Sequence, residues 1–126
     1  MNQSECPFCS LPEDRIVMSS PLFKVVKDLY PVTDLHLLII PNRHISSYFE
    51  LSSEEKSELI LLLDDCRNWL KNQDDLIDGF NIGINDGEVA GQTVMHCHIH
   101  LIPRRLGDNP NPRGGVRGVI PEKQSY

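Results

Sequence analysis

The chain has 126 residues, a length that supports one domain with a single core and no obligatory disulfide bonds. Hydrophobic residues make up 40% and charged residues 24%, and no apolar run reaches the roughly 18–20 residues that a membrane span needs. The net charge of −6 argues against a nucleic acid duplex as partner.

The N-terminal stretch MNQSECPFC lacks the basic and apolar regions of a signal peptide, so we expect a cytoplasmic, reducing setting and no membrane partner. Residues 1–103 carry a net charge of −9, and residues 104–126 carry +3. We therefore expect a domain over residues 1–108, with an N-terminal knuckle at 5–10, and a basic Pro/Gly-rich tail over 109–126. Such a tail could meet a small phosphorylated ligand or the acidic body of a second subunit.

Three short β-like runs open the chain: RIVMS at 15–19, LFKVVKD at 22–28 and LHLLIIP at 35–41. Pro21 and the segment YPVTD mark the turns between them, which predicts an antiparallel meander. A helix follows, because Ser52 and Glu55 form a capping-box pattern and apolar residues then recur at helical spacing to near Lys71.

The unbroken apolar run from Leu59 to Leu63 is wider than one buried stripe requires. It predicts either a second face that packs against another subunit in a homodimer or a helix that lies deep within its own domain. Alternation in FNIGIN predicts a fourth strand at 80–85, and a last strand is expected at about 93–103. The pattern as a whole predicts an α+β domain with a five-stranded antiparallel meander sheet and one main helix.

Three histidines alternate along the last predicted strand, so His96, His98 and His100 should share one face, opposite Cys97, Ile99 and Leu101. Three interpretations follow. The imidazoles form a solvated strand face, or they hold a catalytic metal with an open coordination position. Alternatively, one neutral imidazole attacks phosphorus and forms a phosphoramidate intermediate, because an imidazole pKa near 6.5 leaves a nucleophilic nitrogen at neutral pH.

The loop NDGEVAGQT lies directly before the histidines and favours the phosphoryl interpretation. Gly87 and Gly91 let the backbone approach an anion, while Gln92 and Thr93 add side-chain donors. Such donors would stabilise the charge that develops on phosphoryl oxygens.

The segment GQTVMHCHIHLIP follows the pattern His-apolar-His-apolar-His-apolar-apolar, with Cys97 as an apolar residue. Over roughly residues 5–105 the chain resembles the histidine triad (HIT) superfamily of nucleotide hydrolases and transferases. The stretch GEVAGQTVMHCHIHLIPRRLGD is similar to the dinucleoside polyphosphate hydrolase branch, whereas CPFC together with PNRH is similar to the zinc-bearing bacterial branch.

The resemblance implies that His98 attacks the α-phosphate of a nucleotide conjugate and forms a nucleotidyl-histidine that water hydrolyses. It also implies that His100 holds a phosphate oxygen, that His36 lies beside this pair, and that Asp28 meets the ribose hydroxyls. The positions implied on the phosphate side are Asn85, Gly91, Gln92 and Thr93. From the residues alone, Asp28 and Asn85 could be turn residues and His36 a core histidine.

Cys6 and Cys9 form a C-x-x-C pair near the N-terminus. No strand precedes the pair, which argues against a thioredoxin-like motif, and a reducing setting disfavours a structural disulfide. The pair is then half of a zinc site or two free thiols. The resemblance implies a structural zinc completed by His44 and His96.

Cys66 and Cys97 are expected in the core. In the tail, Arg113 and Arg117 could reach a leaving polyphosphate, pair with acids of a second subunit or remain solvated. The expected function is a homodimeric hydrolase or transferase that acts on a small nucleotide conjugate with a polyphosphate or amine leaving group. The two rivals are a nucleotide-binding or partner-binding module with little turnover and a metal-dependent hydrolase that uses the triad as ligands.

Overall fold

A computed structural model describes residues 5–126; residues 1–4, which we assigned to the domain, lie outside the described residues. The regular elements in chain order are β1 (Ile16–Ser19), β2 (Phe23–Lys27), β3 (Leu37–Pro41), α1 (Ser53–Gln73), β4 (Gly79–Gly83) and β5 (Ile99–Arg104). The five strands form one antiparallel sheet in the order β1-β2-β3-β5-β4. The predicted α+β architecture with one main helix is confirmed.

The sheet is a meander only as far as β3. After α1 the chain places β4 at the outer edge, and β5 returns between β3 and β4. Leu101 of β5 pairs with Leu37 on one side and Ile82 on the other. Because β5 has a neighbour on both sides, the residues that it carries are held firmly in place.

Helix α1 begins with the predicted capping box: the Ser52 hydroxyl accepts a hydrogen bond from the Glu55 amide, and the Glu55 carboxylate accepts one from the Ser52 amide. Its buried apolar face packs against one side of the sheet, and each fully buried Leu there contributes about 1.5–3 kcal/mol. That face consists of Leu59, Leu62, Cys66 and Leu70.

The opposite side of the helix is open. Ile60 and Leu61 are 65% and 67% exposed, so the alternative that the helix lies deep within its own domain is wrong. The expectation that this face contacts a second subunit stays a prediction. No helix within residues 5–126 is long and apolar enough to cross a membrane.

The last strand begins at Ile99 rather than near residue 93. Ladder partners on β3 and β4 are available only from Ile99 onward, whereas the Cys97 amide donates to the Ile45 carbonyl at 2.6 Å in a loop contact. The inward alternation holds nevertheless, since Cys97, Ile99 and Leu101 all lie in the core. The opposite side of the sheet is therefore free to carry a site.

The tail is more ordered than its composition predicts. It contains two short 3₁₀ helices, Gly115–Val119 and Pro121–Lys123, although its Pro/Gly-rich composition carries no helical pattern. The first of them packs against β4, the edge strand of the sheet.

Candidate functional site

A cleft of about 1080 Å³ opens on the side of the sheet away from α1. The predicted residues that line it are Asp28, His36, Asn85, Gly91, Thr93, His98 and His100. They come from the β2–β3 loop, the end of β4, the glycine loop and the start of β5. The fold thus gathers in one cleft most of the residues that the resemblance assigns to substrate.

A chain of hydrogen bonds fixes the protons on His36 and His100. The Val32 amide donates to Nδ1 of His36 at 3.0 Å, so that nitrogen is unprotonated and Nε2 carries the hydrogen. Nε2 of His36 lies 2.9 Å from Nδ1 of His100, which must then accept. The remaining hydrogen of a neutral His100 is consequently on its Nε2.

His98 has the complementary arrangement. Its Nδ1 lies 2.8 Å from the backbone carbonyl of His96, and because a carbonyl only accepts, Nδ1 carries the hydrogen. A neutral His98 therefore keeps a lone pair on Nε2. The His98 ring lies beside that of His100, with centroids 5.3 Å apart, and against Phe8, with centroids 5.1 Å apart.

Burial keeps His36 and His100 neutral. Burial lowers the pKa of His36, and the nearby Asp28 carboxylate offsets this only in part. Burial, followed by the proximity of His98 and His36, lowers the pKa of His100 to about 4. Both rings are thus neutral, and the Nε2–H of His100 remains available to donate a hydrogen bond without carrying charge.

Asp28 closes a turn and also lines the cleft. One carboxylate oxygen accepts from the Tyr30 amide at 2.8 Å and closes a turn. The other lies 3.5 Å from Nε2 of His36, and the residue also lines the cleft. Nearby, Leu35 adopts the left-handed backbone conformation, with φ of 71°, a strain that the sequence did not predict directly before His36.

The glycine loop is built around the side chain of Gln92. Its Oε1 accepts from the Gly87 amide, and its Nε2 donates to the carbonyls of Ser46 and Val94, all within 2.8–3.1 Å. Gln92 is 5% exposed and lies outside the cleft lining, although we expected it to donate to a phosphate. Gly91, with φ of 96°, brings the backbone itself to the cleft.

A second cluster lies beside the cleft and contains the four predicted metal ligands. Sγ of Cys9 lies 3.0 Å from Nδ1 of His44, and Sγ of Cys6 lies 3.4 Å from Nδ1 of His96. The two Nδ1 atoms are 3.2 Å apart. All four ligand atoms lie within 4.8 Å of one another.

These residues fit a zinc ion. Zinc–sulfur bonds of about 2.3 Å and zinc–nitrogen bonds of about 2.0 Å in a tetrahedron give ligand separations of roughly 3.3–3.8 Å. In addition, Nε2 of His96 lies 2.8 Å from the Pro41 carbonyl, which places the hydrogen there and turns the lone pair of Nδ1 towards the cluster. A hydrogen bond of this kind orients most histidine ligands of metals.

The three alternating histidines belong to two different sites. His96 is fully buried and faces the cysteines, whereas His98 and His100 line the cleft. They therefore do not converge on one metal ion, which argues against the triad as a ligand set. His36, His100 and Asp28 do converge, yet the histidines of that group are engaged in a direct hydrogen bond with each other.

The remaining cysteines pack as expected. Cys66 and Cys97 are buried free thiols in the core, and burial raises the pKa of each to about 12. Both are inert at neutral pH, because a thiol reacts through its thiolate.

The tail arginines do not line the cleft. The guanidinium groups of Arg113 and Arg117 lie 4.7 and 4.9 Å from the centroid of the Tyr126 ring. The sequence suggested that the tail could meet a ligand through these arginines, but the tail lines the cleft through other residues, namely Asn109, Pro112, Gly115, Val116, Gly118, Val119 and Gln124. Sequence reasoning missed Phe8, whose aromatic character next to Cys9 was the only available signal.

Residues 12–107 match the HIT domain family, and the chain therefore belongs to this family. Over 106 residues it is 34% identical to an AP-4-A phosphorylase of Mycobacterium tuberculosis. The aligned region covers 83% of this chain and 54% of that protein. Over 115 residues it is 28% identical to an adenosine 5'-monophosphoramidase of Candida albicans, with 82% and 73% covered. The chain spans 22% and 54% of the first curated relatives it matches, about half their length or less.

The fold agrees with solved structures of the family. A zinc-bound histidine triad family protein from Mycobacterium smegmatis superposes with a TM-score of 0.74 at 30% identity, over 87% of this chain and 86% of that one. The resemblance seen in the sequence is thereby confirmed.

Proposed function

We propose that the protein is a nucleotide hydrolase or transferase that cleaves at the α-phosphate of nucleotide conjugates through a nucleotidyl-histidine. One observation carries this proposal: the carbonyl of His96 holds the hydrogen of His98 on Nδ1, which leaves Nε2 as a nucleophile beside a neutral donor, His100. The relatives named above act on a dinucleoside polyphosphate and on a phosphoramidate, which supports the same reaction class.

In the first step, Nε2 of His98 forms a bond to the α-phosphorus while the bond to the leaving group breaks. The leaving group departs with the bonding electron pair and takes a proton from water. The Nε2–H of His100 and the hydroxyl of Thr93, which lines the cleft, donate to the phosphoryl oxygens, where charge develops. Asp28 and the loop around it hold the ribose.

In the second step, water attacks the same phosphorus, the bond to Nε2 breaks, and the water proton passes to solvent. Nδ1 of His98 keeps its hydrogen bond to the His96 carbonyl throughout. Splitting one displacement into two in this way lowers each barrier.

We assign a structural zinc to Cys6, Cys9, His44 and His96, where it would cross-link the N-terminal knuckle to the segment that carries His98. We further infer a homodimer that uses the face with Ile60 and Leu61, because both side chains are exposed. Four free cysteines suit a cytoplasmic, reducing setting. The catalytic domain corresponds to residues 1–108.

The test is a single-turnover reaction of diadenosine tetraphosphate and adenosine 5'-phosphoramidate, each labelled at the α-phosphate and quenched at millisecond times. Wild type should hold acid-labile label covalently, and His98→Ala should hold none and lose at least roughly 10³-fold in kcat. His98→Ala should keep AMP affinity within a few-fold, since the nucleophile contributes little to ground-state binding.

Two outcomes oppose this proposal. Turnover that vanishes on chelation, returns with added metal and never traps label would favour the metal-dependent hydrolase. Tight nucleotide binding without turnover of either conjugate would favour a binding module.

A further inference from the structure

Residues 109–126 lie outside the family match, yet they form one wall of the cleft. The tail is anchored where it begins. The Arg104 guanidinium donates twice to the Asp108 carboxylate, at 2.8 and 2.9 Å, and once to the Asn81 side chain of β4 at 2.7 Å. The position of the wall is therefore fixed relative to the sheet.

The far end of the tail folds back on its own middle. The Tyr126 ring packs against the guanidinium groups of Arg113 and Arg117, and Arg117 Nε donates to the Lys123 carbonyl at 3.0 Å. The packing is close: a Cβ atom at Gly114, where φ is 88°, would lie 1.7 Å from the Gln124 carbonyl oxygen. The segment thus has a defined surface towards the cleft.

The apolar part of that surface is formed by Val116 and Val119, which line the cleft while remaining 62% and 75% exposed. Asn109 and Gln124 of the tail also line the cleft, as does Ile102 of β5. Both tail arginines are held at Tyr126 and do not line the cleft. Of the two arginines that line the cleft, Arg104 is paired with Asp108, and Arg15 precedes β1 at the opposite edge of the sheet. Exposed valines without an unpaired cation beside them suit the apolar face of a base rather than a chain of phosphates.

The sheet order separates this surface from Asp28. Asp28 follows β2, His100 lies on β5, and the tail lies beyond β4, so the histidines lie between the two surfaces. The cleft volume of about 1080 Å³ slightly exceeds the roughly 300–1,000 Å³ of small-molecule sites, which leaves room for more than a mononucleotide.

We propose that residues 109–126 form a subsite for the leaving group and select leaving groups that carry a second nucleobase. The inference rests on the proposed function, in which the transferred nucleotide occupies the Asp28 side. Tyr126 is then a positioning residue that holds Val116 and Val119 in place. An amine leaving group is too small to reach this surface.

The experiment compares kcat and KM for diadenosine tetraphosphate and adenosine 5'-phosphoramidate. The double variant Val116→Ser, Val119→Ser should raise KM for the first substrate about 10-fold and leave kcat/KM for the second within 2-fold. Tyr126→Ala should act in the same direction, and Tyr126→Phe should behave as wild type because the ring face is retained. Leu76→Ser, an exposed apolar residue outside the cleft, is the matched control.

Equal losses on both substrates, or no loss on either, would overturn the subsite. If wild type turned over neither substrate, the proposed function would fail separately. Equilibrium binding would still decide the subsite in that case. Wild type should bind diadenosine tetraphosphate more tightly than AMP, and the double variant should lose that difference in affinity. Equal affinities of wild type for the two ligands would overturn the subsite.

Discussion

Nε2 of His36 lies 2.9 Å from Nδ1 of His100, and the backbone amide of Val32 dictates which of the two nitrogens carries the proton. His36→Ala should therefore leave the His100 tautomer free and lower kcat roughly 10–100-fold, with a smaller change in KM. His36→Gln retains a donor near the same position and should recover part of the loss. Nitrogen NMR should report a single His100 tautomer in wild type and a mixture in His36→Ala; an unchanged tautomer would contradict the assigned relay.

The low pKa of His100 predicts a pH-dependent stability. The folded pKa of about 4 lies below the roughly 6.5 of an unfolded histidine, so between these values the unfolded chain binds more protons. Stability should thus fall as the pH drops from 6.5 towards 4, by about 2 kcal/mol at pH 5 for this residue. Urea unfolding of wild type and His100→Gln at pH 7 and pH 5 measures this change. The free energy of unfolding should fall less between the two pH values in the variant than in wild type, and an equal fall in both would refute the role of His100.

Zinc in the N-terminal cluster should stabilise the fold. We expect about one zinc per chain in wild type and little in Cys6→Ser or Cys9→Ser. A free zinc concentration of a hundred times the dissociation constant alone adds about 2.7 kcal/mol to the free energy of unfolding. Chelation should therefore lower the unfolding midpoint. Cys66→Ala is the control, because it removes a buried thiol without touching the cluster. Wild type free of zinc after reducing, metal-replete preparation would end the zinc assignment.

Arg43 and Glu55 tie the start of α1 to the loop that carries His44. Arg43 donates to both carboxylate oxygens, at 2.7 and 3.1 Å, and this lowers the pKa of Glu55 to about 2. Arg43→Ala leaves a carboxylate that is 3% exposed without its cation and should cost about 1–3 kcal/mol of unfolding free energy. A double-mutant cycle of Arg43→Ala with Glu55→Gln, measured by urea unfolding, should give a coupling energy of about 1 kcal/mol between the two residues. Additive effects would show that the ion pair does not stabilise the fold.

The sequence predicted the first three strands, α1 and β4 to within about two residues, because alternation and capping are local signals. It placed the start of β5 too early for a physical reason. The alternating residue pattern continues through residues 94–98, but residues 94–96 form a bend and the Cys97 amide bonds to Ile45 instead of a strand. Only the neighbouring strands decide where the ladder begins, and their position is not a local property of the sequence.

The site was predicted by residue type better than by orientation. The spacing could not show that His96 turns to the cysteines while His98 turns to the cleft, or that Gln92 is enclosed by its own loop. The tail was harder still, since Gly, Pro and Asn carry no periodicity from which packing on β4 could be inferred. Contacts between distant segments decided each of these features.

His96, Cys97 and His98 are consecutive and serve three different surroundings: the sulfur cluster, the hydrocarbon interior and the open cleft. Deleting or inserting one residue here would rotate each side chain into a neighbour's place, since successive side chains point in opposite directions. The spacing of this tripeptide is accordingly intolerant of any change in length.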